Sequence, residues 1–163
     1  MSTALKGEVI TQDDAEQALN TMAQLNSAAA ELSQEYNVNG CTDITGFGLL
    51  GHAYEMAAAS KVGMNLYYSQ IPFLDSAKEL AAEGMVPGGA YRNRDYLKKC
   101  VEVNFSISEV DSILLYDPQT SGGLLISLPA GVTESLVQEL NKRGITAEII
   151  GEVTDNPGIL TVL

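Results

Sequence analysis

The first half of the chain places apolar residues every three or four positions, a spacing that predicts amphipathic helices. The first stripe predicts one helix, or two helices broken near Asn26 and Ser27. Its members are Ala18, Met22, Leu25, Ala29, Leu32 and Tyr36. A second stripe, from Leu49 to Ala57, predicts a helix that Gly63 interrupts. Thr11 is a candidate cap for the first of these helices.

The second half alternates short apolar runs with helical segments. Residues 124–128, 147–153 and 159–163 have the composition of strands, and Val132–Lys142 has a helical pattern ended by Gly144. Residues 64–69 predict another strand, residues 71–84 a turn and a short helix, and residues 86–96 a loop, because two glycines precede a small basic cluster. We therefore expect a single α/β (α+β) domain over residues 1–163, a mixed β-sheet packed with helices.

Composition and charge narrow the possible functions. Apolar residues make up 45 % of the chain, which suits a globular core, and no apolar run predicts a membrane span. The formal net charge of −12 argues against nucleic-acid and anionic-membrane partners, because phosphate binding needs a basic face. A phosphate-bearing ligand would need neutralising charge from backbone amides, metal ions or a partner. The two cysteines form no CxxC pattern, which argues against zinc and suits a reducing cytoplasm.

Two glycine-rich motifs carry the candidate chemistry. In "TDITGFGLL", glycines stand where a helix begins, and free amides at a helix N-terminus attract phosphate oxygens. Asp43 could meet a phosphate through Mg²⁺. In "DPQTSGGLLISL", the amides after Thr120 could form an anion-binding nest ahead of a strand. On the residues alone, a capped helix start and a simple turn remain equally open interpretations.

The other reactive residues have weaker patterns. His52 lies beside the apolar stripe and is predicted to be a hydrogen-bonded packing residue, since no second histidine or nucleophilic serine accompanies it. Cys41 is predicted to be a small buried residue rather than a catalytic thiol, because no base or resolving thiol lies nearby. Arg92 and Arg94 are predicted to be solvated, although they could reach a phosphate.

The motifs "TDITGFGLLGH", "VPGGAYRN" and "DPQTSGGLL", in this order, resemble the C-terminal half of the selenophosphate synthetase (selenide, water dikinase) family. "STALKGE" and "MAQLN" fit the same resemblance, which covers essentially the whole chain. It implies the fold of the C-terminal domain of the aminoimidazole ribonucleotide synthetase-like superfamily. It also implies an enzyme that converts ATP, selenide and water to selenophosphate, AMP and phosphate with Mg²⁺ and K⁺.

The resemblance places the catalytic cysteine or selenocysteine, its lysine and the main Mg²⁺-binding aspartates in an N-terminal domain. Met1 falls near the family's domain junction, so we expect that this chain lacks the N-terminal domain, carries no catalytic residue and is inactive alone. The expected partners are that N-terminal domain, a second copy in a cytoplasmic homodimer, and selenide as the small-molecule substrate. The alternatives are a non-catalytic binding or scaffold module and another superfamily enzyme, such as a HypE-like protein.

The resemblance also implies that the glycine-rich edges of the domain face a nucleotide cleft. We therefore expect a set of residues to line the phosphate end of ATP. These residues are Asp43, Thr45, Gly46, Gly48, Asn93, Thr120, Ser121, Gly122 and Gly123. Asp43 is the candidate contact to Mg²⁺. The expected role of the others is to stabilise phosphoryl charge, mainly through backbone amides.

Overall fold

The computed structural model describes residues 1–163 as eight α-helices, six strands and two short 3₁₀ turns. The helices are α1 (Ser2–Lys6), α2 (Glu16–Ala23), α3 (Ser27–Ser33), α4 (Gly48–Ser60), α5 (Ala77–Ala82), α6 (Gly88–Leu97), α7 (Glu109–Leu114) and α8 (Ala130–Lys142). The strands are β1 (Gly40–Asp43), β2 (Gly63–Leu66), β3 (Val101–Val103), β4 (Leu124–Ser127), β5 (Gly151–Thr154) and β6 (Leu160–Val162). None of the helices combines the length and apolar character needed to cross a membrane.

Four strands form a mixed sheet in the order β3-β6-β2-β5. Strand β6 runs parallel to both β3 and β2, whereas β5 pairs with β2 in the antiparallel sense. Leu160 and Val162 of the inner strand β6 are fully buried. They belong to a core cluster of 16 buried residues, which also takes in Leu50 and Ala53 of α4. This packing fixes helix α4 against the sheet.

Strands β1 and β4 form a separate two-stranded antiparallel sheet. Its register runs from Gly40 opposite Ser127 to Asp43 opposite Leu124. A two-stranded ribbon is marginally stable in water, so its stability depends on neighbouring elements. The expectation of an α/β fold with a mixed sheet packed with helices is confirmed, and the β1–β4 ribbon is a second, smaller sheet.

Most predicted elements are present, including α4, α8, β4 and β6. The break near Asn26 and Ser27 separates α2 from α3. The prediction that Leu25 lies on the apolar face of a helix is wrong. Its side chain is 80 % exposed, because the residue lies in the connection between α2 and α3. The predicted strand at residues 147–153 is also displaced, since regular pairing begins at Gly151.

The prediction of a loop at residues 86–96 is wrong, because Gly88–Leu97 forms helix α6. Pro87 is extended and stands just before the first helical residue. Ala90 and Leu97 are seven residues apart, so they lie on the same face of the helix, and both are almost fully buried. The loop prediction depended on the two glycines, each of which costs about 1 kcal/mol in a helix. The free energy gained by burying this face of α6 outweighs that cost.

A polar cluster joins the segments around α5 and α7. Tyr68 donates a 2.6 Å hydrogen bond to the Asp111 carboxylate, and the Ser108 hydroxyl donates another of 2.7 Å. Lys78 Nζ lies 3.7 Å from the same carboxylate and 4.8 Å from the centre of the Tyr68 ring. The hydrogen bonds from Tyr68 and Ser108, followed by the charge of Lys78, lower the pKa of Asp111.

Candidate functional site

The two glycine motifs meet at one end of the β1–β4 ribbon. We call Thr45–Gly48 the first turn and Thr120–Gly123 the second turn. The Ile44 N–H donates to the Gly123 carbonyl at 2.9 Å, and the Gly122 N–H donates to the Ile44 carbonyl at 3.0 Å. The Gln119 N–H donates to the Thr45 carbonyl at 3.0 Å. The antiparallel register therefore brings two segments that are distant in sequence into direct contact.

Two glycines allow close backbone approach at this site: Gly48 against the Tyr116–Asp117 backbone, and Gly122 against Ile44. Gly48 has φ of +71°, and a Cβ added to it would lie 2.7 Å from the Tyr116 carbonyl carbon. A Cβ at Gly122 would collide with the Ile44 carbonyl oxygen. A larger residue at either position would push the backbones apart. By contrast, Gly46 and Gly123 have no atom within 4 Å of an added Cβ, so they face open space.

Several amides of the two turns donate to no backbone carbonyl. They belong to Thr45, Gly46, Phe47, Thr120, Ser121 and Gly123, and the adjoining Leu49 amide in α4 is also free. The first three and Leu49 lie at the N-terminal end of the 13-residue helix α4, where the helix dipole is positive. Ser121 has φ of +58°, a left-handed conformation uncommon for a residue with a side chain. The site therefore offers unpaired backbone donors on both turns.

Two asparagine side chains hold carbonyls of the turns. Asn93 of α6 donates to the carbonyls of Gly46 and Tyr116, both at 3.0 Å. Asn26, between α2 and α3, donates to the Gly122 carbonyl at 2.9 Å. The structure thus places Asn93 beneath the first turn with its amide nitrogen engaged by the backbone. Asn26 was not among the predicted site residues, although it belongs to the motif "MAQLN".

His52 lies beside the first turn. Its Nε2 is 3.0 Å from Thr45 Oγ1, and its Nδ1 is 3.4 Å from a Glu55 carboxylate oxygen. The ring lies 5.8 Å from the Phe47 ring, and only 11 % of the side chain is exposed. This environment agrees with a hydrogen-bonded packing histidine. It also means that the Thr45 hydroxyl is engaged within the protein, as its carbonyl is.

Asp43 is exposed at the end of β1, next to the first turn. No group of three or more His, Cys, Asp or Glu side chains in the chain could hold a metal ion. Mg²⁺ prefers octahedral oxygen ligands and keeps several waters, with one or two carboxylates completing its contacts to protein. Asp43 can therefore contribute one carboxylate ligand of this kind.

Cys41 does not have the properties of a nucleophile. The residue is exposed, so the prediction that it is buried is wrong: alternate β1 residues face outward, and Cys41 lies on the outer side. Partial desolvation of its thiol, with a smaller effect from the negative charge of Asp43, raises the pKa of Cys41. The thiol therefore remains protonated at neutral pH.

Asp117 precedes the second turn and is largely shielded from water. Desolvation raises the pKa of Asp117, although the Gln119 side chain donates a 3.0 Å hydrogen bond to its carboxylate. Nearby, Arg94 pairs with Glu109 at 3.1 Å, whereas the side chain of Arg92 is exposed. The two glycine motifs therefore carry one shielded carboxylate, Asp117, and one exposed carboxylate, Asp43.

Comparisons with known proteins agree on one family. Residues 2–162 match the family described as AIR synthase related protein, C-terminal domain. The chain is 47 % identical over 156 residues to a selenide, water dikinase of Caldanaerobacter subterraneus subsp. tengcongensis, covering 95 % of this chain and 45 % of the relative. It is 44 % identical over 154 residues to a selenide, water dikinase of Clostridioides difficile, covering 94 % and 44 %. The chain thus spans less than half the length of these relatives.

Proposed function

The chain belongs to the family described as AIR synthase related protein, C-terminal domain. From this membership we propose that it is the C-terminal domain of a selenide, water dikinase. In this proposal residues 1–163 are one domain of an enzyme that converts ATP, selenide and water to selenophosphate, AMP and phosphate. The identities of 47 % and 44 % to relatives of that name support it. The motifs "TDITGFGLLGH" and "DPQTSGGLL", which resemble those of the same family, also support it.

The contact between the first and second turns is the observation that carries this proposal. Helix α4 begins at the first turn, and the Ile44 hydrogen bonds bring the second turn alongside it. Unpaired amides on both turns are suited to phosphate oxygens, because each N–H carries partial positive charge at a fixed position. We assign to these amides the stabilisation of charge that develops on the phosphoryl group during transfer.

The proposed phosphate-facing residues have different roles. Gly46, Thr120, Ser121 and Gly123 present free amides. Gly122 permits the close contact of the turns, and Gly48 permits the close approach of the first turn to the Tyr116–Asp117 backbone. The engaged hydroxyl and carbonyl of Thr45 fix the shape of the first turn. Asp43 contributes one contact to a Mg²⁺ ion whose remaining ligands come from the nucleotide, water and the other half of the enzyme.

The remaining parts of the proposed enzyme lie outside this chain. The reactive cysteine or selenocysteine, its lysine and the main Mg²⁺ ligands are assigned to a preceding domain, in a cytoplasmic homodimer that also uses K⁺. The charge of −12 supports this division, since the chain carries 21 acidic and only nine basic residues. The cations that neutralise a triphosphate must then come chiefly from elsewhere.

Valine substitutions at the open glycine positions test the proposed role of the turns. The assay is selenide-dependent AMP formation by an enzyme that joins this chain to its preceding domain. Gly46→Val and Gly123→Val add side chains in open space beside the free amides, so we expect folded enzymes with turnover reduced at least about tenfold. Gly131→Val is the matched control, because Gly131 also has open space around its Cβ but lies on α8.

Turnover of the Gly46→Val and Gly123→Val enzymes equal to that of Gly131→Val would contradict the phosphate-facing role. A complementary assay uses the 163-residue chain alone and then with the preceding domain added in trans. We expect no activity from the chain alone and selenide-dependent AMP formation from the mixture. Activity in the isolated chain would contradict the division of labour, and replacement of selenide by other acceptors without loss would favour a different superfamily enzyme.

A further inference from the structure

We propose that Asn26 and Asn93 are positioning residues that orient one peptide in each glycine turn. Each asparagine holds a turn carbonyl from the protein side, so the N–H of the same peptide points away from the protein. This inference rests on the proposed function in one respect: the N–H groups so oriented are those that meet the phosphate. The orientation of the peptides can be tested without any ligand.

The position of Asn26 indicates a long-range role. It stands at the N-cap of α3, where asparagine usually accepts a hydrogen bond from the first turn of the helix, yet its side chain makes no cap bond. Its amide group instead donates to the Gly122 carbonyl, 96 residues away in sequence. Its bonding capacity is therefore used on the second turn rather than on its own helix.

Because a peptide bond is planar, the contact with the Gly122 carbonyl also sets the direction of the N–H in the same peptide. In a planar trans peptide, the C=O and the N–H point in opposite directions. Because Asn26 holds the Gly122 carbonyl, the Gly123 N–H points the opposite way. Gly123 is exposed, its N–H donates to no backbone carbonyl, and an added Cβ would meet no atom within 4 Å. The Gly123 N–H thus has no backbone partner and points away from Asn26.

Asn93 repeats this arrangement at the first turn. Its amide group donates to the Gly46 carbonyl, so the N–H of the Gly46–Phe47 peptide is directed away from α6. Phe47 is exposed, and its N–H has no backbone acceptor. The second bond of Asn93 holds the Tyr116 carbonyl, which lies close to the position of a Cβ on Gly48. One side chain therefore orients a peptide of the first turn and fixes the backbone against which that turn packs.

Glycine turns need such support, because a glycine peptide can rotate with little steric cost. A carboxamide is a suitable support, since it donates a hydrogen bond without adding charge. An aspartate has nearly the same shape but offers no donor when ionised, and it would repel the carbonyl. Asn26→Asp and Asn93→Asp therefore remove the proposed contact with little change in volume.

Residual dipolar couplings of backbone N–H groups test the inference directly in the ligand-free chain. Asn26→Asp should change the coupling of Gly123, and Asn93→Asp should change that of Phe47, while couplings in the four-stranded sheet stay constant. Asn141→Asp is the matched control, because Asn141 donates to the Ala147 carbonyl at 3.1 Å near the end of α8. If the aspartate variants fail to fold, Asn26→Ala and Asn93→Ala replace them.

Couplings of Gly123 and Phe47 that remain at wild-type values in the folded variants would overturn the inference. Titration with inorganic triphosphate tests the link to function. We expect the amide resonances of both residues to shift in the wild type, and the affinity to weaken at least about fivefold in the Asn26→Asp and Asn93→Asp variants but not in Asn141→Asp. A wild-type chain without such shifts would contradict the phosphate role in the proposed function, and the couplings would still decide whether the asparagines orient the peptides.

Discussion

An alanine substitution should destabilise the protein at Gly122 but leave its stability almost unchanged at the adjacent Gly123. An alanine at position 122 places its Cβ against the Ile44 carbonyl oxygen and 3.2 Å from the Gln119 Cβ. Neither neighbour is the free end of a flexible side chain, so the turn and β1 must separate. An alanine at position 123 meets no atom within 4 Å, and the backbone there is not in the left-handed region.

The cost at position 122 has two parts. Overpacking of a well-packed site costs about 1–3 kcal/mol. Separation of the strands also weakens the Gly122–Ile44 and Ile44–Gly123 hydrogen bonds, which adds about 1 kcal/mol. We expect the Gly122→Ala substitution to lower the free energy of unfolding by about 2–4 kcal/mol. For a chain of this length that corresponds to a fall in Tm of about 6–12 °C.

The Gly123→Ala substitution should change the free energy of unfolding by less than about 1 kcal/mol. A small stabilisation is also consistent with this reasoning, because alanine has less conformational entropy than glycine in the unfolded chain. Thermal and urea unfolding followed by circular dichroism measure both values. An equal loss of stability in the two variants would refute the reasoning, since it would mean that the hydrogen-bonded contact between the turns does not distinguish position 122 from position 123.

The remaining predictions concern charged groups and the core. Asp111 has a lowered pKa, so its ionised form stabilises the fold above the unfolded-state pKa of about 4. Asp111→Asn should therefore lower Tm at pH 7, and this difference should disappear as the pH falls through the lowered pKa. Asp117 has a raised pKa, so its contribution is largest at acid pH and is lost as the pH rises through the folded-state pKa. Asp117→Asn should therefore raise Tm at pH 7 but not below about pH 4, and an unchanged Tm at pH 7 would contradict this sign. Cys41 should react with iodoacetamide more slowly than a free thiol at pH 8, and Asp43→Asn should speed this reaction, as measured by mass spectrometry. Leu97→Ala should cost about 2–5 kcal/mol in urea unfolding, whereas a surface-like value below 0.5 kcal/mol would contradict the burial of α6.

The sequence predicted those elements in which buried residues recur at one regular spacing. Helix α4 was predictable because Leu50, Ala53 and Ala57 recur on its buried side. Helix α6 was not, because its buried residues are only Ala90 and Leu97, and its glycines resemble those of a loop. What makes it a helix is contact with the rest of the core, which a local pattern does not contain.

The long-range contacts of the candidate site were likewise not predictable from local sequence. The glycines of the two motifs indicated close backbone approach, but nothing local to either motif predicts the β1–β4 pairing that joins them. Asn26 is the clearest omission, since its partner is the Gly122 carbonyl far along the chain. Its sequence context suggests a helix cap, and only the three-dimensional contact distinguishes the two roles.

The negative charge of the whole chain gives a reason why the residues that hold the turn carbonyls, Asn26 and Asn93, are uncharged. A domain with a net charge of −12 already opposes the approach of a triphosphate, so an aspartate at position 26 or 93 would increase that repulsion. A lysine would donate to the carbonyls, but its flexible ammonium would also compete with the amides for phosphate oxygens. Asparagine fixes the carbonyl, and the opposite end of the same peptide remains the donor. In this arrangement the electrostatic contribution of the domain comes from oriented backbone dipoles, and the cations come from the other half of the proposed enzyme.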